Sequence, residues 1–399
     1  MSNTHVSPDK CIACTTCTVF CPVAAATNEF LGPRMIGPAW ERMRRQGIHE
    51  DESLGWCANC KNCDISCPQG VDVAGINMMA RDREYAAHHP HFLRDWIVSH
   101  NETLGRLFGP VPAPLKNYAM RNSVVRGALD VIGIARQATM PTYAARRFRS
   151  LLAELRQPEG LTRTVAYFPG CYVDLFDPQA GLDLVWALNQ AGCRVVTDDN
   201  FRCCGVPMIA SGFMADARKN VRRNMAGIRA FAAQGIPVLM SCPSCELMFR
   251  EEARTFFPEE TREADIAMVR DAQEFLLELA QEGVFRPKLR APRAPLLYHS
   301  PCHMRALGIG LPGLDLLSEL GVPVIAANAG CCGISGSYGF KKERYAVSQK
   351  VGSTLFATVR ESGASTVATE CGTCRLQIAS STGVPARHPV SVIRSLAGV

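Results

Sequence analysis

The sequence predicts a small cysteine-dense N-terminal domain followed by two tandem α/β units, each built on a mainly parallel sheet. Eight of the 19 cysteines fall before residue 68. The downstream cysteines recur as two matching sets, at offsets of 131, 128, 128 and 129 residues. Within each set, short apolar runs alternate with helix-period stretches, the pattern of strand and crossover helix in a parallel sheet.

At 399 residues and 47% hydrophobic, the chain has material for two or three cores, and its 20% of charged residues gives no sign of disorder. Cysteine use sets the expected boundaries: residues 1–90 hold eight cysteines, 91–160 none, 161–290 the first repeat and 291–399 the second. A disulfide framework belongs to short secreted chains. This chain is long, its first ten residues are polar, and no run approaches the ~18 apolar residues that span a bilayer. A reducing compartment, where thiolates are available to metal, is the expectation. The net charge of +6 gives no nucleic-acid signature.

Cys11-x-x-Cys14-x-x-Cys17-x-x-x-Cys21-Pro22 and Cys57-x-x-Cys60-x-x-Cys63-x-x-x-Cys67-Pro68 both fit the bacterial ferredoxin run. There, three closely spaced thiolates hold one 4Fe-4S cluster and the fourth reaches the other. The expected ligand sets are therefore crossed: Cys11, Cys14, Cys17 and Cys67 for one cluster, and Cys57, Cys60, Cys63 and Cys21 for the other. Zinc in separate C-x-x-C pairs has no use for such a double run.

In the repeats, Cys171, Cys203-Cys204-Gly205 and Cys242-x-x-Cys245 are answered by Cys302, Cys331-Cys332-Gly333 and Cys371-x-x-Cys374. The flanks repeat too, Gly181-Leu-Asp-Leu184 as Gly313-Leu-Asp-Leu316 and Gly212-Phe213 as Gly339-Phe340. Apolar runs at 164–168 and 295–299 lead into the first cysteine of each unit, and runs at 237–240 and 365–368 deliver the C-x-x-C pair. Helical stretches are expected at 181–191, 215–234 and 341–362. Adjacent thiolates point in different directions and suit different irons of an extended cluster, so one or two further, non-cubane iron-sulfur clusters are expected. A structural zinc in each unit, or one degenerate unit, is the alternative. Only Cys193 is left over, and its apolar setting fits a buried free thiol.

Gly308-x-Gly310-x-x-Gly313 matches a dinucleotide fingerprint but contains Pro312 and does not follow a strand; it reads as a turn before a helix, and no flavin or nicotinamide site is expected in this chain. His299 and His303 flank Cys302, and Lys341 and Lys342 follow the second CCG. Of these, His303 and Lys341 are the candidates for a catalytic proton carrier, with packing as the alternative. Between Lys116 and Arg149 lie seven basic residues against the single acid Asp130. Val124, Ala128, Leu129 and Ile132, then Phe148, Leu151, Leu152 and Leu155, form apolar stripes among them. Two readings are open: helices lying on an anionic membrane surface, or helices docked on the protein's own core.

A double ferredoxin run followed by two CCG units resembles the iron-sulfur subunits that include those of heterodisulfide reductase, glycolate oxidase and anaerobic glycerol-3-phosphate dehydrogenase. The resemblance is greatest to the last, through Gly32-Pro-Arg-Met-Ile-Gly-Pro38 with Glu41-Arg42, Ser300-Pro-Cys-His-Met304, Cys331-Cys-Gly333 and Tyr338-Gly-Phe-Lys-Lys-Glu343. It implies an α-helical ferredoxin domain followed by two tandem α/β CCG (cysteine-rich) domains, whose cysteines in relatives hold non-cubane clusters. It also implies a circuit: a separate flavoprotein subunit oxidises glycerol 3-phosphate, and this chain passes the electrons to membrane menaquinone, as a peripheral protein on the cytoplasmic face of the inner membrane. Within the same group, the alternatives are a glycolate or lactate oxidase subunit, or an enzyme that reduces a disulfide at a CCG cluster.

Overall fold

The computed structural model describes residues 6–48 and 53–399. Among them, every residue before Arg163 is helix, turn or loop, apart from one isolated bridge that joins Ile134 to Lys341. Eight strands follow: β1 (Arg163–Phe168), β2 (Cys193–Val196), β3 (Val238–Met240), β4 (Val269–Asp271), β5 (Leu296–Tyr298), β6 (Val324–Ala326), β7 (Thr366–Ala368) and β8 (Ala386–Arg387). They form two four-stranded sheets of identical order, β2-β1-β3-β4 and β6-β5-β7-β8, with every pairing parallel.

The central strands are apolar without alternation, because helices cover both faces of a parallel sheet. Val165 to Phe168 and Val238 to Met240 are all buried, as are Leu296 to Tyr298. The strands expected from the sequence are present; β2, β4, β6 and β8 were not foreseen. They have two to four residues each, too few to show a period, and Ile325 at the centre of β6 is 62% exposed. The expected long helices occupy Pro178–Gln190, Met214–Ala232 and Lys342–Glu361. The first begins where Asp177 accepts from the Ala180 amide and Pro178 fills a position that needs no amide hydrogen. The glycine-rich run near residue 310 is the turn between Cys302–Leu307 and Pro312–Glu319, with Gly308 as a left-handed cap at φ 68°.

The two α/β units pack reciprocally. Pro178–Gln190 of the first lies on the last helix of the second, Pro389–Ala397, while Pro312–Glu319 of the second lies on Ala272–Gln281 of the first. One core takes Val165, Tyr167 and Leu184 from the first unit with Leu296, Tyr298 and Leu316 from the second. The repeated Gly181 and Gly313 are packing glycines. A Cβ on Gly181 would lie 2.5 Å from the Phe148 ring, and one on Gly313 would meet Glu370 and Pro389.

The N-terminal domain and the helices that follow it clamp this pair. Ile36, Leu54 and Met78 share a core with Phe168 and Phe201. The fully buried Arg81 donates to the carbonyls of Leu54 and Cys57 (2.7 and 2.8 Å) and of Ala210 in the first unit. On the other side, Val98, Ile134 and Ala138 pack with Leu297 and Ile334 of the second unit.

The basic segment divides between its two readings. Phe148 and Leu152 are buried in the shared core, and Leu129 and Ile132 are half-buried against the second unit. Arg126 is buried and donates to the carbonyls of Ala135, Arg136 and Ala138, while Arg147 pairs with Asp174. Most of the stripe is thus docked on the protein. Val124 and Val131, however, are 77% and 86% exposed, and no helix among the described residues is long and apolar enough to cross a membrane.

Replacing Arg81 by Leu takes the donor from the Cys57 and Ala210 carbonyls, at about 1–3 kcal/mol each, and leaves the Leu54 carbonyl with only the Cys57 amide. We expect Arg81→Leu to lower the thermal unfolding midpoint of anaerobically purified protein well beyond any exposed Arg→Leu change.

Candidate metal centres

The two ferredoxin-type loops share one backbone device. Ala13 and Thr15 in the first, and Asn59 and Lys61 at matching places in the second, all have φ between 53° and 63°. Four non-glycine residues in this left-handed region cost about 1–3 kcal/mol each, and persist where their surroundings over-determine them. Such turns aim successive amides toward one point, as an anionic centre requires. A small cavity is lined by Cys11, Cys14, Cys17 and Cys67, so the fourth cysteine of the second run does reach the first loop. The neighbouring sulfurs that perturb Cys63 are Cys57, Cys60 and Cys21, the complementary set. Burial pushes the Cys21 thiol up to about 11 and lifts Cys60 and Cys63 well above the usual range.

Around the second loop, Asn77 donates to Cys57 Sγ at 3.6 Å, and the buried Lys61 ammonium lies 3.4–3.6 Å from Asp72, Asp64 and Glu252. The first loop is more open, with Cys14 exposed and Ile12, Val19 and Phe20 at least 60% exposed beside it.

In each α/β unit the cysteines gather at one edge. After β1 the chain crosses to β2 on one side and then to β3 on the other, so a crevice opens at the carboxyl ends of β1 and β3, the usual ligand position in such sheets. Cys171 follows β1, Cys203 and Cys204 follow β2, and Cys242 and Cys245 follow β3. The second unit places Cys302, Cys331, Cys332, Cys371 and Cys374 in the same way after β5, β6 and β7. Gly205 and Gly333 have φ 101° and 84°, and a Cβ on Gly333 would stand 2.0 Å from the Ser348 carbonyl oxygen. Only glycine can follow the cysteine pair there.

The five sulfurs of each set form a continuous contact series: Cys171, Cys203, Cys204, Cys245 and Cys242 in the first unit, and Cys302, Cys331, Cys332, Cys374 and Cys371 in the second. Cys332 and Cys374 Sγ are 3.1 Å apart. Thiol donors from both neighbours hold Cys203 and Cys331 well below the ordinary thiol range, while contact with those anions raises Cys171 and Cys302. Buried, crowded, sulfur-only donors suit soft-metal coordination, iron-sulfur chemistry or zinc. Both units have a full set. Cys193 is outside them, fully buried in β2 with its thiol toward the Ala191 carbonyl.

One difference between the units bears directly on the sulfurs. His299, where the first unit has Phe168, is 3% exposed, and its Nε2 has no hydrogen-bond partner among the described residues. A ring nitrogen of His299 and the sulfurs of Cys332 and Cys374 all lie within 4.8 Å of one another. The signal was present in the sequence as a polar residue at an apolar strand end of one repeat only.

The four groups adjoin in series. Cys21 stands between Cys57 and Cys17 and so links the two ferredoxin-type sets. Cys60 has Cys331 as the strongest of its sulfur neighbours, and Cys302 in turn feels Cys60. Cys242 of the first unit and Cys371 of the second line the same cavity, and the Cys371 charge acts on Cys242.

His303 stitches this junction, donating from Nε2 to the Asn59 carbonyl (2.8 Å) with Nδ1 2.8 Å from the Ser244 hydroxyl. Both its nitrogens are engaged, so the sequence candidate becomes a bridge between the N-terminal domain and the first unit. Lys341, the other candidate, lies in the interior. It is buried against Asp95 at 3.0 Å, and desolvation, with Arg344 nearby, lowers its pKa to about 7. Sequence reasoning missed Glu102, which accepts from the Cys203 amide across a stretch that has no cysteine.

These features define an iron-sulfur protein that joins a two-cluster domain to two cysteine-rich ones. Residues 7–71 match the family model of the 4Fe-4S dicluster domain, and residues 165–250 and 296–379 each match that of the cysteine-rich domain. The chain belongs to the family of the iron-sulfur subunit of anaerobic glycerol-3-phosphate dehydrogenase. It is 38% identical to that subunit of the Escherichia coli (strain K12) enzyme over 397 residues, covering 96% of this chain and 97% of the relative. It is also 24% identical to a fumarate reductase (CoM/CoB) subunit of Methanothermobacter marburgensis, over 93% of this chain and 67% of the relative. Lactate utilization protein A of Geobacillus kaustophilus is 31% identical, over 44% of this chain and 74% of the relative.

Two substitutions separate the units. Gly333→Ala forces a methyl group into the Ser348 carbonyl, so we expect iron loss confined to the second unit, read as the disappearance of one paramagnetic signal. His299→Phe copies the first unit, and we expect it to change the g-values or potential of that same signal while total iron is retained.

Proposed function

We propose that this chain is the electron-transfer subunit of an anaerobic glycerol-3-phosphate dehydrogenase, receiving electrons from a flavoprotein subunit and delivering them to a membrane quinone. The observation that carries the reading is the unbroken series of four cysteine groups, from the exposed Cys14 to the interior. In this reading Cys11, Cys14, Cys17 and Cys67 hold one 4Fe-4S cluster, and Cys57, Cys60, Cys63 and Cys21 the other. Cys171, Cys203, Cys204, Cys242 and Cys245 hold a third centre, and Cys302, Cys331, Cys332, Cys371 and Cys374 a fourth. Bound clusters supply one-electron transfer, and the protein supplies spacing, burial and hydrogen bonds to the sulfurs. The all-helical N-terminal domain in this account is an α-helical ferredoxin domain.

Partner contact is assigned to the open first loop, where Ile12, Val19, Phe20 and Leu31 form an exposed apolar surface. Membrane contact is assigned to the exposed residues of the basic segment, Tyr118, Val124 and Val131, and to the exposed Arg121 and Arg136. The name of the Escherichia coli relative and the coverage of nearly its whole length support the choice of substrate.

The test is reconstitution with the flavoprotein. Glycerol-3-phosphate-dependent quinone reduction should require this chain, while the flavoprotein alone reduces only a soluble dye. Oxidation of glycerol 3-phosphate by this chain alone, or equal quinone reduction without it, contradicts the proposal. Anaerobic metal analysis should give more than the about eight irons of two cubanes; zinc in the α/β units would contradict their assignment.

A further inference from the structure

A cavity of about 640 Å³ lies where the helical segment at 97–143 faces the cysteine edges of both α/β units. Its wall includes Cys171, Cys204, Cys242 and Cys245 of the first unit, with Cys371 of the second. Ile97, Leu104, Phe108, Leu129, Met140 and Phe176 also line it, and the exposed wall is mainly apolar. Polar side chains also line it: Asn101, Lys116 and Tyr143 from the helical segment, and His303, Glu370 and Arg375 from the second unit. The cavity opens at the surface: Phe108 and Leu115, two of its wall residues, are 47% and 58% exposed, and the neighbouring Leu107 and Tyr118 are exposed as well.

We infer that this cavity is the quinone-binding site and that the first α/β unit is therefore the outlet of the chain; the inference rests on the electron-transfer reading above. The volume is within the ~300–1,000 Å³ range of small-molecule sites, and apolar walls with a few convergent polar groups are their common character. An occupant of this cavity touches the sulfur edge of the first unit, so it is placed to accept electrons. It is enclosed by apolar walls, so it is itself apolar. It reaches the surface between exposed apolar side chains, so it can enter from a bilayer and leave an alkyl tail at the mouth. A quinone meets all three conditions: a flat ring with two carbonyl acceptors, which Lys116 can meet as a donor, and a hydrocarbon tail. The chemistry balances as quinone plus two electrons and two protons giving quinol. The electrons come from glycerol 3-phosphate oxidation by the partner, and the protons from solvent at the mouth.

The test uses the full chain, purified anaerobically with its clusters, and a naphthoquinone that carries a photoreactive azide. Peptide mapping should place the label on Asn101–Leu107 and Ala113–Arg121, and excess menadione should prevent it. Label confined to the surface around Ile12 and Phe20, or label displaced by phospholipid but not by menadione, overturns the inference. Ala119→Trp, which puts an indole into the cavity wall, should weaken menadione binding at least about tenfold with iron content unchanged. Val284→Trp, at an exposed position outside the cavity wall, should bind as wild type. Equal binding by both variants overturns the site. Because these readouts need no flavoprotein, failure of the glycerol-3-phosphate assay would count against the proposed function and leave the cavity separately tested.

Discussion

The arrangement depends on one geometric constraint: all-parallel sheets send every strand out at the same edge. Each α/β unit can therefore bring three separate cysteine loops to a single crevice, and reciprocal helix packing turns the two crevices toward each other. The contact is reciprocal at the edges as well. Pro243–Leu247, which carries Cys245, packs on Cys302–Leu307, while Gly372 of the second unit sits so close to Tyr172 that a Cβ would lie 2.2 Å from its ring. Arg375 completes this side by pairing with Asp177 at 2.9 Å across the same ring. Neither unit alone would enclose its cysteines.

The N-terminal domain uses the opposite strategy. Its loops have no sheet behind them, and hold their shape with left-handed residues, buried ion pairs and the carbonyl contacts of Arg81. Lys61 shows how tightly this is balanced, since one buried ammonium faces three carboxylates, two of them from its own domain and Glu252 from the first α/β unit. Removing one partner of such a group leaves charges uncompensated in a low-dielectric setting. Burial raises the Cys21, Cys60 and Cys63 thiols of this domain, so a metal that binds there displaces protons and its binding depends on pH.

Much of this was legible in the sequence because cysteine spacing is a direct record of ligand geometry. The nearness of Cys67 to the first run and of Cys21 to the second, the two CCG units and their long helices follow from it. The outer strands did not, since β8 has two residues and β6 is half-exposed, leaving no periodic signal. The order of the groups was also hidden. Chain order suggests that the cysteines of the first α/β unit lie next to the ferredoxin-type loops. That unit does touch the loops, through Glu252 beside Lys61, yet the cysteine group nearest Cys60 is that of the second unit, through Cys331, with the Ser335 hydroxyl donating to the Ala58 carbonyl. The reversal arises because the helices at 92–138 carry the chain around the second unit before it enters the first. His303 illustrates the same limit: next to a ligand in sequence, it is a structural bridge between domains in space.

The order of the groups is the central claim, and pulsed dipolar spectroscopy on anaerobically reduced protein tests it most directly. With the centres assigned by single Cys→Ser variants, the account expects the strongest coupling across the domain boundary between the Cys57–Cys60–Cys63 centre and that of the second α/β unit. The first unit should couple to the N-terminal domain more weakly, at longer distance. A stronger coupling of the first unit to that domain would contradict the account.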